Sequence, residues 1–284
     1  MKIVAATAQI APYKGEIQKN LGHILEILLT SQSEGVDLLV FPETCVSGYF
    51  LEGGVQEHCL SAADLSNYFY EGLKSSQKDI DFVVGFYEFF DGTVYNSSAY
   101  FEYYQGELSL KKIYRKLFPP TYGVFDEKRF VGCGKELGCF ESRFGKVALH
   151  ICEDIWHSIL PTLNALSGAQ IMIVSSASPG REMKAELPEN VKQYESLMKG
   201  ISQEHGVFCI NSMLFGFEGG KGLSGGSLMT DPTGQVLCRS PIMQEDLLIC
   251  KLDLEIVKIA RAQLPLLSNL QDRLEILKEI VSEI

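Results

Sequence analysis

The sequence predicts an α/β fold, and three observations carry the prediction. Short apolar runs recur along the chain, among them Val36–Phe41 (VDLLVF), Val147–Ile151 (VALHI) and Gln170–Val174 (QIMIV). Each has the look of a strand buried on both faces. Between such runs stand stretches with apolar residues at helical spacing, such as Ile17, Leu21, Ile24, Leu25 and Leu28 within Glu16–Gln32. No linker-like segment divides the 284 residues, so the whole span, 1–284, reads as one domain.

Taken in order, Lys2–Ile10 reads as a first strand. It is not a signal peptide, because Gln9 interrupts the apolar stretch and Pro12 ends it. Glu16–Gln32 is a helix ended by Gly35, and Val36–Phe41 is a second strand stopped by Pro42-Glu43-Thr44. Leu60–Gln77 reads as helical. From Asp81 the character turns aromatic and β-prone, in Phe82–Phe90, Val94–Tyr104 and Leu108–Tyr114, with turns at Asp91-Gly92 and Gln105-Gly106. That pattern is an antiparallel meander. Lys111–Gly134 follows as a long loop dense in Lys, Arg, Tyr and Pro, stiffened by Pro119-Pro120 so that Lys116 is held in place.

Val147–Ile151 is the central strand, with its polar residues held back to the carboxyl end. A helix at Leu160–Ser167, a strand at Gln170–Val174, a helix at Glu189–His205 closed by Gly206, and a strand at Val207–Ile210 come next. Phe215–Gly226 is glycine-rich. Its SGGS is not a phosphate loop, since no P-loop lysine follows in register and no helix pattern opens after it. Ser227–Arg239 is a hairpin around Asp231-Pro232-Thr233-Gly234, Leu247–Leu252 a last strand, and the stretch from Leu254 largely helical.

Composition narrows the function. A formal net charge of −11 argues against a nucleic-acid or anionic-membrane surface, both of which want clustered Lys and Arg. No apolar run approaches the roughly 18 residues of a membrane span. Eight scattered cysteines show no CxxC pair and no histidine at zinc spacing, so they read as reduced thiols of a cytoplasmic, metal-free protein.

Two polar residues stand directly after apolar strands: Glu43 and Cys152. Ligands of α/β sheets bind beyond the carboxyl ends of the strands, where a rigidly delivered thiol is well placed to be a nucleophile. A buried core cysteine and a surface-loop glutamate are the plain alternatives. With Lys116 the set has a chemical logic. A thiol with a pKa near 8.5 needs a base. A glutamate in a dry crevice can take that proton and pass it to a leaving amine. An ammonium, with the backbone N–H after the nucleophile, can hold an oxyanion.

Four blocks, FPET (Phe41–Thr44), YRKLFPPTYGVFDE (Tyr114–Glu127), HICEDIW (His150–Trp156) and GGSLMTDPTG (Gly225–Gly234), resemble the nitrilase superfamily of carbon–nitrogen hydrolases. The resemblance spans nearly the whole chain. It implies a four-layer αββα sandwich, two β-sheets flanked by helices, with homodimers formed from two such sandwiches. It also implies a triad of Glu43 as general base, Lys116 as oxyanion stabiliser and Cys152 as nucleophile. Glu127 falls near the family's second, supporting glutamate. Within the superfamily the likeness is greatest to the glutaminase portion of glutamine-dependent NAD synthetases, on PTYGVFDEKRF (Pro120–Phe130), ICEDIW (Ile151–Trp156) and SASPG (Ser176–Gly180). That implies roles in holding substrate for Tyr49, Tyr122, Glu153, Trp156 and Ser178. The chain lacks the synthetase part and its ATP-pyrophosphatase loop, and GREMK (Gly180–Lys184) differs from the family's segment there.

The expectation is an amidase acting on a small linear amide, glutamine or a related ω-amide, through a thioester, with release of ammonia and no cofactor. Arg181 offers a planar fork for a substrate carboxylate, whereas Lys184 would act as a point charge. A separate ammonia-using synthetase is the expected partner. An N-carbamoyl amino acid amidohydrolase or a nitrilase remains the alternative within the superfamily. Two readings of other kinds stay open: a papain-like Cys–His pair using His150, His157 or His205, and a catalytically silent binding or regulatory protein.

Overall fold

The apolar runs sort into two six-stranded sheets, the number that the resemblance implies. The computed structural model describes residues 1–181 and 186–283. In chain order come β1 (Lys2–Gln9), α1 (Ile17–Ser33), β2 (Leu38–Val40), α2 (Ala62–Leu73), β3 (Ile80–Phe90), β4 (Thr93–Tyr104) and β5 (Glu107–Arg115). Next are β6 (Cys139–Ser142), β7 (Gly145–Ile151), α3 (Ile159–Leu166), β8 (Ile171–Ser176), α4 (Glu189–His205) and β9 (Phe208–Met213). The chain ends with β10 (Phe215–Glu218), β11 (Lys221–Ser224), β12 (Leu228–Thr230), β13 (Val236–Arg239), β14 (Asp246–Asp253), α5 (Glu255–Gln263), α6 (Leu266–Gln271) and α7 (Leu274–Ser282).

The first sheet runs β14-β1-β2-β3-β4-β5 and the second β13-β12-β9-β8-β7-β6. In each, three neighbouring strands are parallel, β1-β2-β3 and β7-β8-β9, and antiparallel strands complete the edges. Parallel neighbours need crossovers, and α1, α2, α3 and α4 supply them. Alternate residues of β2 then face opposite ways. Leu38 and Val40 pack with Val147, Leu149 and Ile173 between the sheets. Leu39 packs with Leu21, Ile24, Leu65 and Phe69 under α1 and α2. Tyr194 and Met198 of α4 close over the second sheet. The result is the αββα sandwich. Burial on both faces is why these strands read as unbroken apolar runs rather than alternating ones.

Several elements differ from the sequence reading. β6 is a strand that CFES does not announce, and the glycine-rich Phe215–Gly226 folds into the hairpin β10–β11. The helix expected over Leu60–Gln77 is shorter, because Ser61 and Asp64 form a capping box that fixes its start. β5 runs to Arg115, so Lys116 is the first residue beyond a strand rather than a mid-loop residue. Among the described residues no helix is long and apolar enough to cross a membrane.

The carboxyl ends of β2, β7 and β8 meet where the sheets face each other. There the Ser175 hydroxyl of β8 donates to the Phe41 carbonyl beyond β2 at 3.0 Å.

Candidate active site

Glu43 is delivered by a tight turn after β2. The turn crosses Gly85 of β3 so closely that a Cβ there would stand 2.4 Å from the Pro42 carbonyl oxygen and 2.6 Å from the Thr44 nitrogen. Thr44 itself sits at φ 48°, a costly place for a β-branched residue. The Glu43 side chain is fully buried, and both of its oxygens are occupied. Oε2 accepts the Ala177 N–H just beyond β8 at 2.7 Å. Oε1 accepts from Asn96 Nδ2 of β4 and from Lys116 Nζ, each at 2.7 Å.

Lys116 is also fully buried. Its backbone is clamped: its N–H donates to the Asn96 carbonyl at 2.9 Å, and its carbonyl accepts from Gly134 at 2.7 Å. A Cβ at Gly134 would lie 2.0 Å from the Arg115 carbonyl oxygen, so that contact requires glycine. Nζ forms a second ion pair with Glu127 Oε2 at 2.7 Å. Glu127 further accepts from Tyr49 OH at 2.6 Å and Asn96 Nδ2 at 2.7 Å. One ammonium thus serves two carboxylates in a dry interior. Burial lifts Glu43 to about 7, Lys116 pulls it down, and the Glu127 charge pushes it up. Burial also opposes the Lys116 charge, but Glu127 and Glu43 outweigh it and hold the ammonium well above its ordinary range.

Cys152 follows β7 at φ 47°, in the left-handed region, and opens a 3₁₀ turn, Cys152–Trp156. Asp154 fixes this turn. Its carboxylate accepts from the Ile151 N–H at 3.1 Å and Tyr114 OH at 2.8 Å, and from the Leu117 and Phe118 N–H groups at 3.2 and 3.1 Å. The Cys152 turn and the segment after Lys116 are therefore pinned by one side chain, whose pKa burial raises to about 6. The Cys152 sulfur lies 3.1 Å from Tyr194 OH of α4. Burial, then the Glu43 charge, raises the thiol above its usual value, while Lys116 opposes them.

Above Cys152 opens a cavity of about 430 Å³. Tyr122, Glu153, Trp156, Ser178 and Arg181 all line it, as does Phe125. Tyr122 OH donates to Glu153 at 2.6 Å. Asn190 of α4 holds Ser178, its Nδ2 donating to the hydroxyl at 3.2 Å. Tyr49 is placed differently from expectation. It is buried behind Lys116 with its hydroxyl given to Glu127, and it lines a separate cavity of about 40 Å³. Lys184 lies outside the described residues. Asn96, Asp154, Tyr194 and the Ala177 N–H were not legible in the sequence, because nothing local marks contacts made across 31 to 134 residues.

The histidines of the Cys–His reading are engaged elsewhere, and the hydrogen bond to the Cys152 sulfur comes from Tyr194 instead. His150 is buried, paired with Asn164 at 2.9 Å, and burial lowers its pKa to about 4. His157 stacks on Phe118 and stands 3.6 Å from Glu153. His205 faces Thr162. Among the described residues no group of three His, Cys, Asp or Glu could hold a metal ion.

The model of the family described as "Carbon-nitrogen hydrolase" matches residues 4–262. A glutamine-dependent NAD(+) synthetase of Thermotoga maritima is 30% identical over 252 residues, which are 87% of this chain but 42% of that protein. The chain thus spans less than half the length of that relative. An N-carbamoylputrescine amidase of Arabidopsis thaliana is 22% identical over 272 residues, 92% of this chain and 89% of that one. Among solved structures, a carbon–nitrogen hydrolase of Helicobacter pylori superposes with a TM-score of 0.81 at 24% identity, covering 94% of this chain and 95% of its own. A family match across nearly the full length, on a fold that a solved carbon–nitrogen hydrolase shares, makes this chain a member of the carbon–nitrogen hydrolase family.

Proposed function

We propose that the protein is an amidase that works through a cysteine thioester. One observation carries the reading: Glu43, Lys116 and Glu127 form one buried network, and Asp154 ties the segment after Lys116 to the turn of Cys152, which lines the cavity. Glu43 takes the thiol proton as sulfur attacks the amide carbon. The carbonyl π pair moves onto oxygen, where Lys116 and the backbone N–H of Glu153 stabilise it. The intermediate collapses, Glu43 passes its proton to nitrogen, the C–N bond breaks and ammonia leaves. Glu43 then takes a proton from water and the hydroxide attacks the thioester; the C–S bond breaks with its pair going to sulfur, which recovers the proton from Glu43 as the acid leaves. Every group needed belongs to the chain, so the scheme calls for no cofactor. Glu127 supports Lys116 rather than exchanging protons.

Arg181 at the cavity wall supports a substrate with a carboxylate a few bonds from the amide, as in glutamine or another ω-amide. The relation to a glutamine-dependent synthetase supports the same choice and a separate ammonia-using synthetase as partner. The near full-length match to an N-carbamoylputrescine amidase favours carbamoyl compounds as a second reading. We further propose a homodimer, supported by the exposed apolar side chains of Trp156 and Ile159 beside the site. The free cysteines suit a cytoplasmic setting.

An ammonia-release screen over ω-amides, carbamoyl compounds and nitriles tests the reaction. Cys152→Ala should abolish release with the melting temperature little changed; appreciable residual turnover would overturn the mechanism. Arg181→Met should erase a preference of about 10- to 150-fold for glutamine over a neutral amide of equal length, the worth of one charge-assisted hydrogen bond. An unchanged preference in kcat/KM would remove Arg181 from substrate recognition.

A further inference from the structure

Tyr194 belongs to neither the proposed triad nor the expected substrate contacts, yet its hydroxyl is the group hydrogen-bonded to the Cys152 sulfur. It projects from the first turns of α4, one side chain away from Trp156, whose ring meets it edge-on at 5.6 Å and 88°. Only about 1% of the residue is exposed, so water does not compete for its proton. A phenol has one proton to give and a thiolate has none, so across this contact the phenol is the donor whenever the sulfur is charged.

We propose that Tyr194 is a further catalytic residue, a hydrogen-bond donor to the Cys152 sulfur whenever that atom carries negative charge. This rests on the amidase reading above. The charge appears twice in that scheme. It builds as Glu43 removes the thiol proton and lasts until the C–S bond is complete. It forms again when the second tetrahedral intermediate collapses and the C–S electron pair returns to sulfur. At both points the phenol keeps its proton and only strengthens its hydrogen bond. The neutral thioester between them is a weak acceptor, so the donor favours the charged sulfur over the acyl-enzyme. Lys116 cannot do this alone, because it is already shared by Glu43 and Glu127.

The groups acting on this sulfur come from several elements: Glu43 beyond β2, Lys116 beyond β5, Tyr122 in the following loop, Tyr49 behind the lysine, the Ala177 N–H beyond β8, and Tyr194 on α4. The experiment isolates the last of them. The full-length protein and its Tyr194→Phe variant are treated with iodoacetamide from pH 6 to 10, and alkylation of the Cys152 peptide is followed by mass spectrometry. At each pH in that range the alkylation rate of Cys152 should fall about 10- to 100-fold, the loss of one hydrogen bond to a charged group. Replacing the tyrosine with 3-fluorotyrosine, a more acidic phenol of nearly the same size, should raise the rate. That second variant decides the matter if the phenylalanine fails to fold. Unchanged rates in the folded variants overturn the role of Tyr194, even with ammonia release intact. Absence of ammonia release from every amide tried would instead overturn the amidase reading, and the catalytic role with it.

Discussion

Lys116 has three N–H donors, and two are committed at 2.7 Å to Glu43 and Glu127. One is left, the number that a single substrate oxygen requires. Glu43, by contrast, begins with both oxygens satisfied and must give up a partner as it takes a proton. Its pKa near 7 sets the pH response. As the proposed base, Glu43 must be ionised to act, so kcat/KM should rise with pH along a limb centred near 7 instead of near the 4.5 of an ordinary glutamate. Glu43→Gln should abolish that limb and lower kcat/KM by about 10²- to 10⁴-fold. His150→Asn should cost far less, and the reverse ranking in a steady-state comparison would point back to a histidine base. Glu43 and Cys152 were legible because each follows an apolar strand, and Lys116 because it sits in a stiffened basic segment. Asn96 was illegible. It is a polar residue inside a β-prone run, and its two carboxylate contacts lie 53 and 31 residues away.

At the level of elements, the strands of both parallel triplets could be read because burial on two faces leaves nothing but apolar side chains. Short or glycine-rich edges could not. β6 has four residues and partly buried positions, and β10–β11 form a two-stranded sheet of four-residue strands, so neither leaves an unbroken apolar run. Least legible were glycines whose role is the closeness of a neighbouring segment. Gly85 sits in the middle of a strand, where glycine is locally unfavourable, and only the turn carrying Glu43 explains it. Gly85→Ala should push that turn away from β3. An ångström of misplacement can cost about 10²-fold in rate. The expected result is a drop of that order in kcat, with a stability loss of about 1–3 kcal/mol from overpacking. Steady-state kinetics beside thermal melts checks both, and wild-type kcat would show that the turn does not need the space.

The whole molecule is tied at the end opposite the site by Asp81 of β3, which is buried and accepts from Arg143 Nε at 2.7 Å in the β6–β7 turn. Tyr100 OH of β4 donates to the same carboxylate at 2.5 Å. Burial raises Asp81 to about 6, against the pull of Tyr100 and Arg143. A carboxyl raised on folding contributes stability that is full below its ordinary pKa and is lost as pH rises through the folded value. Arg143→Met removes the cation and lifts that value further. Its penalty should therefore be small at pH 5, where Asp81 can stay protonated, and approach about 3 kcal/mol at pH 8. Urea melts at the two pH values test this, and an equal penalty at both would show that Arg143 acts through packing alone. Kinetics of the folded variant should be unchanged. The two sheets divide the proposed chemistry as well. Glu43 and Lys116 extend from strands of one, Cys152 from a strand of the other. A chain emerging from the ribosome, or one with a sheet torn open, carries the thiol without the proposed base beside it. Turnover, unlike plain thiol reactivity, thus waits until both layers have closed, and a copy with one sheet displaced keeps its cysteine but loses its chemistry.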